Sequence, residues 1–143
     1  MTGTEPRPPG AVRLIRSPSL AATDYAYAAT APAGARLVFL AGACPLDADR
    51  RTVGVGDFEV QAQQVVGNLA QALRDAGAGF GDVLYTRVMV ASDVRDDLVR
   101  VWGIVRAAFG DHDVPSTLSG VTVLGYPGPA GRGRGRRRGA GLS

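Results

Sequence analysis

The chain has 143 residues, enough for one domain with its own core and too few for two. Its formal charge of +3 is unevenly placed. All 16 basic residues are arginine, five of them (Arg132, Arg134, Arg136, Arg137 and Arg138) near the C-terminus, while residues 1–128 carry 11 arginines against 13 acids, a charge of −2. Basicity therefore belongs to the tail, and charge excludes the domain itself as a nucleic-acid surface.

Other classes fall on composition. No run approaches the roughly 20 apolar residues that cross a bilayer, and no basic patch with an apolar core and cleavage site opens the chain. The single cysteine, Cys44, cannot form an intrachain disulfide. The expectation is a cytoplasmic protein with no membrane partner.

In chain order, residues 1–10 hold three prolines and two glycines with nothing to bury, which predicts a disordered lead. A domain over 11–128 follows, and then a Gly/Arg-rich tail over 129–143. Val12, Leu14 and Ile15 begin a strand, and Tyr25 and Tyr27, alternating with Ala26, mark a second that pairs with it antiparallel. The continuous apolar run within Arg36 to Ala43, ended by Pro45, has the length of a buried central strand.

Asp57 to Ala76 predicts a helix. Phe58, Val65, Val66, Leu69, Leu73 and Ala76 share one face, Asp57 can cap the first turn, and Gly77 can supply the left-handed residue after the last. Asp82 to Val90 alternates, with Leu84, Thr86, Val88 and Val90 on one side and Val83, Tyr85, Arg87 and Met89 on the other. Ser92 or Asp93 then caps a second helix with the stripe Val94, Leu98, Val101, Trp102, Val105 and Phe109, closed by Gly110. After the bend at Val114-Pro115, Leu118, Val121, Val123 and Leu124 predict a last strand.

Strand, helix, strand, helix, strand places the later strands parallel, with right-handed crossovers. The result is an α+β architecture: a mixed sheet with two helices packed on one face. Apolar residues on both sides of Asp82 to Val90 imply that another subunit covers the other face.

Chemistry-bearing motifs are few. One histidine and one cysteine far apart do not make a metal site. His112 reads as a solvated loop residue, and Gly54-Val55-Gly56 lacks the third glycine of a phosphate loop. The candidates to line a binding site are Tyr25, Gly42, Cys44 beside it, Trp102 on the helix stripe, and the hydroxyls of Ser116 and Thr117 at the start of the last strand.

The chain resembles the RidA (YjgF) family of reactive-intermediate deaminases from about Tyr25 to Gly128. The resemblance is carried by Leu37-Val-Phe-Leu-Ala-Gly-Ala-Cys-Pro-Leu46, an apolar strand ending in a glycine and a Pro-Leu turn. Gln64-Val-Val-Gly-Asn-Leu69 follows, then Leu73-Arg-Asp-Ala-Gly-Ala78 with Asp82-Val83 after it, and Phe109 ahead of the strand led by Pro115. It implies a chorismate-mutase-like fold and a homotrimer with clefts between subunits. It also implies hydrolysis of imines or enamines to carbonyl compounds and ammonia, without cofactor or metal.

By position the family's cleft tyrosine falls on Tyr25 and its strand-end glycine on Gly42. Its carboxylate-binding arginine falls on Thr117, which cannot make a charged two-pronged contact. An asparagine on the second helix is replaced by Trp102. The resemblance is thus to a divergent branch without the arginine clamp, acting on a non-standard small molecule.

The family's closing strand, of the kind Leu-Val-Glu-Val-Glu-Ala, is replaced by Pro129-Ala-Gly-Arg-Gly-Arg-Gly-Arg-Arg-Arg138. One permitted coding of Gly128 to Arg138, displaced by one base, reads Ala-Arg-Leu-Val-Glu-Val-Glu-Ala-Val-Ala. Two readings of the tail stand, a frameshifted final strand, favoured because a Gly/Arg run forms a buried strand poorly, and an evolved basic tail. Three functions stand at this point: a RidA-like hydrolase, a non-catalytic trimeric module binding a small molecule, and an RNA-binding or ribonuclease-like role supported by the arginine tail alone.

Overall fold

The computed structural model describes residues 11–126 and 139–142; the expected lead over 1–10 and most of the tail lie outside the described residues. In chain order the elements are β1 (Arg13–Ile15), β2 (Ala28–Thr30), α1 (Phe58–Asp75), a 3-10 turn at Phe80–Asp82, β3 (Thr86–Val90), α2 (Arg95–Phe109), β4 (Ser116–Gly120) and β5 (Ala140–Leu142). β1 and β2 form an antiparallel pair, as alternation at the N-terminus predicted. The main sheet has the order β4-β3-β5, with β3 parallel to β4 and antiparallel to β5.

Local chemistry explains the helices. The Asp57 carboxylate accepts from the amides of Glu59 and Val60, both at 3.1 Å, so two donors that helix geometry orphans are satisfied. Glu59 in the first turn and Arg74 in the last match the helix dipole. Gly77, at φ +78°, supplies the left-handed exit. For α2, Ser92 works from two residues ahead of the cap position at Val94: its hydroxyl accepts from the Val94 amide at 3.0 Å and donates to the buried Asp97 carboxylate at 2.6 Å.

Both helices pack on the sheet face of Val88 and Val90, which are fully buried, and the core fills with Val65, Leu69, Leu73, Val101, Val105 and Phe109. The parallel pairing of β3 with β4 follows from α2 crossing between them. At the top of β4, a Cβ built on Gly120 would lie 2.5 Å from the Ser92 carbonyl oxygen. Gly120→Ala must push two backbone segments apart, and a loss of about 1–3 kcal/mol is expected in urea denaturation.

Four local expectations are corrected. β2 begins after Tyr25 and Tyr27, although the Tyr27 amide still donates to Ile15 at 3.0 Å. The alternating stretch from Asp82 is regular only from Thr86, because Phe80–Asp82 turns first. His112 is half-buried rather than solvated: its Nε2 lies 2.7 Å from the Val83 carbonyl oxygen and its ring stacks on Phe109. The last predicted strand stops at Gly120, leaving Val123 exposed.

The fifth correction is the largest. Among the described residues, the expected central strand at Arg36 to Ala43 is bridged to a neighbour only at Ala43, which pairs with Leu142. Phe39, Leu37 and Val38 are 89%, 60% and 46% exposed. An apolar run becomes a buried strand only if a neighbour supplies its hydrogen bonds along its length. β5, three residues long, reaches Ala43 and no further.

Among the described residues no helix is long and apolar enough to cross a membrane.

Candidate functional site on the open sheet face

The six residues singled out in the sequence fall into three separate groups. The first is built on β4. The Ser116 hydroxyl lies 2.7 Å from the Thr86 hydroxyl and donates to the Val114 carbonyl at 3.0 Å, so it serves the turn into the strand. Thr117 points the other way. It pairs in register with Arg87, on the face that carries Arg87 and Met89 of β3, with Tyr85 of the same alternation just ahead of the strand.

The Tyr85 and Thr117 hydroxyls meet at 2.5 Å on this face. Arg87 is exposed beside them, and the ion pairs among the described residues use Arg16, Arg100 and Arg106, leaving Arg87 without a carboxylate. A positive, five-donor fork thus stands next to a hydroxyl pair on an open surface. Sequence reasoning had not picked Tyr85 and Arg87 as site residues. The signal was present, because alternation over Asp82 to Val90 already put them together on the face away from the helices.

The second group holds Tyr25 and Trp102. Trp102 Nε1 donates to the Asp24 carboxylate at 3.0 Å, and Arg106 reaches the same oxygen at 3.4 Å. Tyr25 meets Tyr27 edge-on at 6.0 Å, and its carbonyl accepts from Arg16, which also pairs with Asp113. These contacts tie the N-terminal segment to α2 and the loop after it. Trp102 therefore belongs to the helix layer, on the side of the sheet away from Thr117.

The third group is Gly42 and Cys44. Asn68 on α1 donates to the carbonyls of Cys44 at 2.8 Å and Leu46 at 2.9 Å, and Gln64 donates to Asn68 Oδ1 at 2.9 Å. This pair staples the Pro45 turn to the helix. Asn68→Ala takes one of two donors from each carbonyl, since the Leu46 amide also donates to Cys44 at 2.8 Å and Gln64 Nε2 to Leu46 at 3.3 Å, and a loss of about 0.5–1.5 kcal/mol is expected on chemical denaturation. A Cβ on Gly42 would make only ordinary contact, 3.5 Å from the Leu142 carbonyl oxygen, so its neighbour is β5.

Burial pushes the Cys44 thiol above its ordinary value. A raised pKa means less thiolate, so at pH 8 iodoacetamide is expected to alkylate Cys44 more slowly than free cysteine; a faster rate would contradict this. Nearby, burial chiefly, with Cys44 adding to it, pushes the Tyr126 phenol up to about 12. Its hydroxyl is buried near the Ala140 backbone without reaching hydrogen-bond geometry.

The sheet register measures the separation of the groups. Ala43 and Val88 both pair with Leu142, and Val88 pairs with Leu118, so these four lie in one row and Gly42, Arg87 and Thr117 in the next. Three strand spacings, roughly 14 Å, part Gly42 from Thr117. Within one chain, the group with free polar chemistry is Tyr85, Arg87 and Thr117. Among the described residues, no group of three His, Cys, Asp or Glu is placed to hold a metal.

Comparison with known proteins agrees with this architecture. The family described as endoribonuclease L-PSP matches residues 17–127. A RutC family protein from Synechocystis is 37% identical over 76 residues; the match covers 52% of this chain and 54% of that protein, so the chain spans about half the length of this relative. A Yersinia pestis protein of unknown function in the conserved Rid family superposes with a TM-score of 0.78 at 24% identity, covering 92% of this chain and 94% of that one. A Mycobacterium tuberculosis member of the YjgF/YER057c/UK114 family gives 0.54 at 21% identity, with 92% and 95% covered. The structures establish the chorismate-mutase-like α+β fold and the sequence match the membership: the chain belongs to the L-PSP family, the RidA (YjgF) family of the sequence resemblance.

Proposed function

We propose that the chain is a cofactor-independent hydrolase that converts small imines or enamines to carbonyl compounds and ammonia, in a homotrimer, at the face of Tyr85, Arg87 and Thr117. The observation that carries this reading is the register pairing of Arg87 with Thr117. Thr117 stands where the resemblance puts an arginine, and the residue directly across from it supplies a guanidinium instead. A substrate carboxylate gripped in two-pronged fashion by Arg87 is held beside the hydroxyl pair.

Water adds to the imine carbon to give a carbinolamine, a proton passes to nitrogen, ammonia leaves and the carbonyl forms. Thr117, with its partner hydroxyl on Tyr85, orients the water, and Arg87 fixes the carbon it attacks. Such chemistry draws mainly on positioning and on charge stabilisation in a cleft closed by a neighbouring subunit.

Ammonia release from imines generated in situ, with and without a carboxylate, tests the reading. Acceleration confined to the carboxylate-bearing compounds is expected. No acceleration with either, together with saturable binding, would instead favour a non-catalytic ligand-binding module. That second reading draws on the 2.5 Å contact by which Tyr85 and Thr117 satisfy each other.

A further inference from the structure

Beyond β4 the chain stays on the sheet. The Val121 amide donates to the Val90 carbonyl at 2.8 Å, which holds the exit of the strand against β3. The segment that follows crosses β5, and two glycines mark its path. A Cβ built on Gly141 would lie 3.7 Å from both methyl carbons of Leu124, and one built on Gly139 would overlap the Tyr126 hydroxyl. Leu124 therefore rests on Gly141 at van der Waals distance, and Tyr126 seats itself beside Gly139 two residues further on. Tied at Val121 and wedged at Tyr126, the segment presents Leu124 in a fixed place.

The alternation of β5 says which face that place is on. Ala140 and Leu142, 1% and 2% exposed, point into the core, so Gly141 between them turns to the opposite face, the one that carries Arg87 and Thr117. Gly141 is buried all the same, with Leu124 lying over it. Only the missing side chain at 141 lets a leucine from outside the strand come so close to the sheet.

Register then measures how far this leucine stands from the guanidinium. Gly141 pairs with Met89 and Met89 with Ser119, one outward row beyond Arg87 and Thr117. One strand spacing, roughly 4.8 Å, and two residues along β3, roughly 6.8 Å, put Gly141 about 8 Å from Arg87. Met89 and Leu124 are both half-buried, and none of Gly141, Met89 and Ser119 bears a charge. The row offers apolar surface beside Arg87 and no partner for a second ionised group.

We propose that Leu124, with Met89, is the specificity-determining shelf of the Arg87 face, a step that rests on the reading of that face as a carboxylate-binding site, and that it selects 2-imino acids with an extended apolar side chain. With the carboxylate on Arg87, a butyl side chain extends about 5 Å and reaches the shelf, whereas a methyl group ends short of it. Three added methylenes with about half their surface covered favour binding about tenfold. A side chain ending in a carboxylate brings a charge onto apolar surface and gains nothing.

Isothermal titration calorimetry of the full chain with 2-oxo acids, the products such imines give, reads the shelf without requiring turnover. 2-Oxohexanoate is expected to bind about tenfold more tightly than pyruvate or 2-oxoglutarate. Leu124→Gln should cut that preference to about threefold or less, Met89→Gln should act in the same direction, and Leu124→Met should keep most of it. Equal affinities for the three acids in the unaltered protein, or a preference that survives Leu124→Gln, would overturn the shelf and leave the Arg87 reading standing. Binding at full strength in Arg87→Ala, or no binding of any of the three acids, would overturn both. A preference lost in Leu124→Gln by a protein that releases no ammonia would uphold the shelf and remove the hydrolase.

Discussion

Phe109→Ala is expected to destabilise the domain by about 3–5 kcal/mol, a large share of what a domain of this size possesses. Phe109 is the last residue of α2 and is 6% exposed. Its ring meets Phe80 edge-on, with centroids 4.8 Å apart, and His112 stacks on it at 6.4 Å. Three elements converge there: the end of α2, the turn before β3, and the loop into β4. Truncation opens a cavity among groups already tied down, since His112 is held by the Val83 carbonyl. Phe109→Leu keeps most of the volume and should lose markedly less. Urea denaturation followed by circular dichroism measures both, and equal losses would show that the ring is not the keystone of this corner.

The second large effect concerns Arg87. If it grips a substrate carboxylate, Arg87→Ala removes a charge-assisted pair of hydrogen bonds of about 1.5–3 kcal/mol, roughly ten- to hundredfold in KM. Compounds without a carboxylate should be unaffected, and kcat should change little, because the grip is made equally in ground and transition states. Arg87→Lys restores charge without the planar fork and should recover only part of the loss. The register makes a sharper demand. Thr117 is the cross-strand neighbour of Arg87, so Thr117→Arg added to Arg87→Ala returns a guanidinium to the same patch and should lower KM again. A KM that rises equally for both substrate classes, or no rescue by the double variant, would remove Arg87 from the site.

The same register accounts for what stayed hidden in the sequence. Alternation over Asp82 to Val90 placed Tyr85 and Arg87 on one face, but nothing local says that Thr117, thirty residues on, lies across from Arg87. The Trp102 to Asp24 hydrogen bond joins residues 78 apart, and it turns a residue that resemblance put in the cleft into an anchor of the N-terminal segment. Asn68 was legible only as part of a motif; its role in holding the carbonyls of Cys44 and Leu46 needed α1 docked against the turn.

By itself the sequence determined both helices and the caps and buried stripe of α1, because a 3.6-residue period with an aspartate at one end and a glycine at the other is written within a single turn-by-turn stretch, whereas the start of α2 fell at Val94 rather than at Ser92 or Asp93. It also determined the inward and outward faces of β3, through a period of two. Only the tertiary structure decided the fate of Leu37 to Ala43, whose apolar run is equally suited to a central strand or an exposed edge. That outcome depends on a neighbour supplied a hundred residues later, by three residues that follow an arginine run and carry no period of their own. Helices satisfy their backbone internally, whereas a strand is completed by whatever lies beside it, and that neighbour is a property of the fold rather than of the segment.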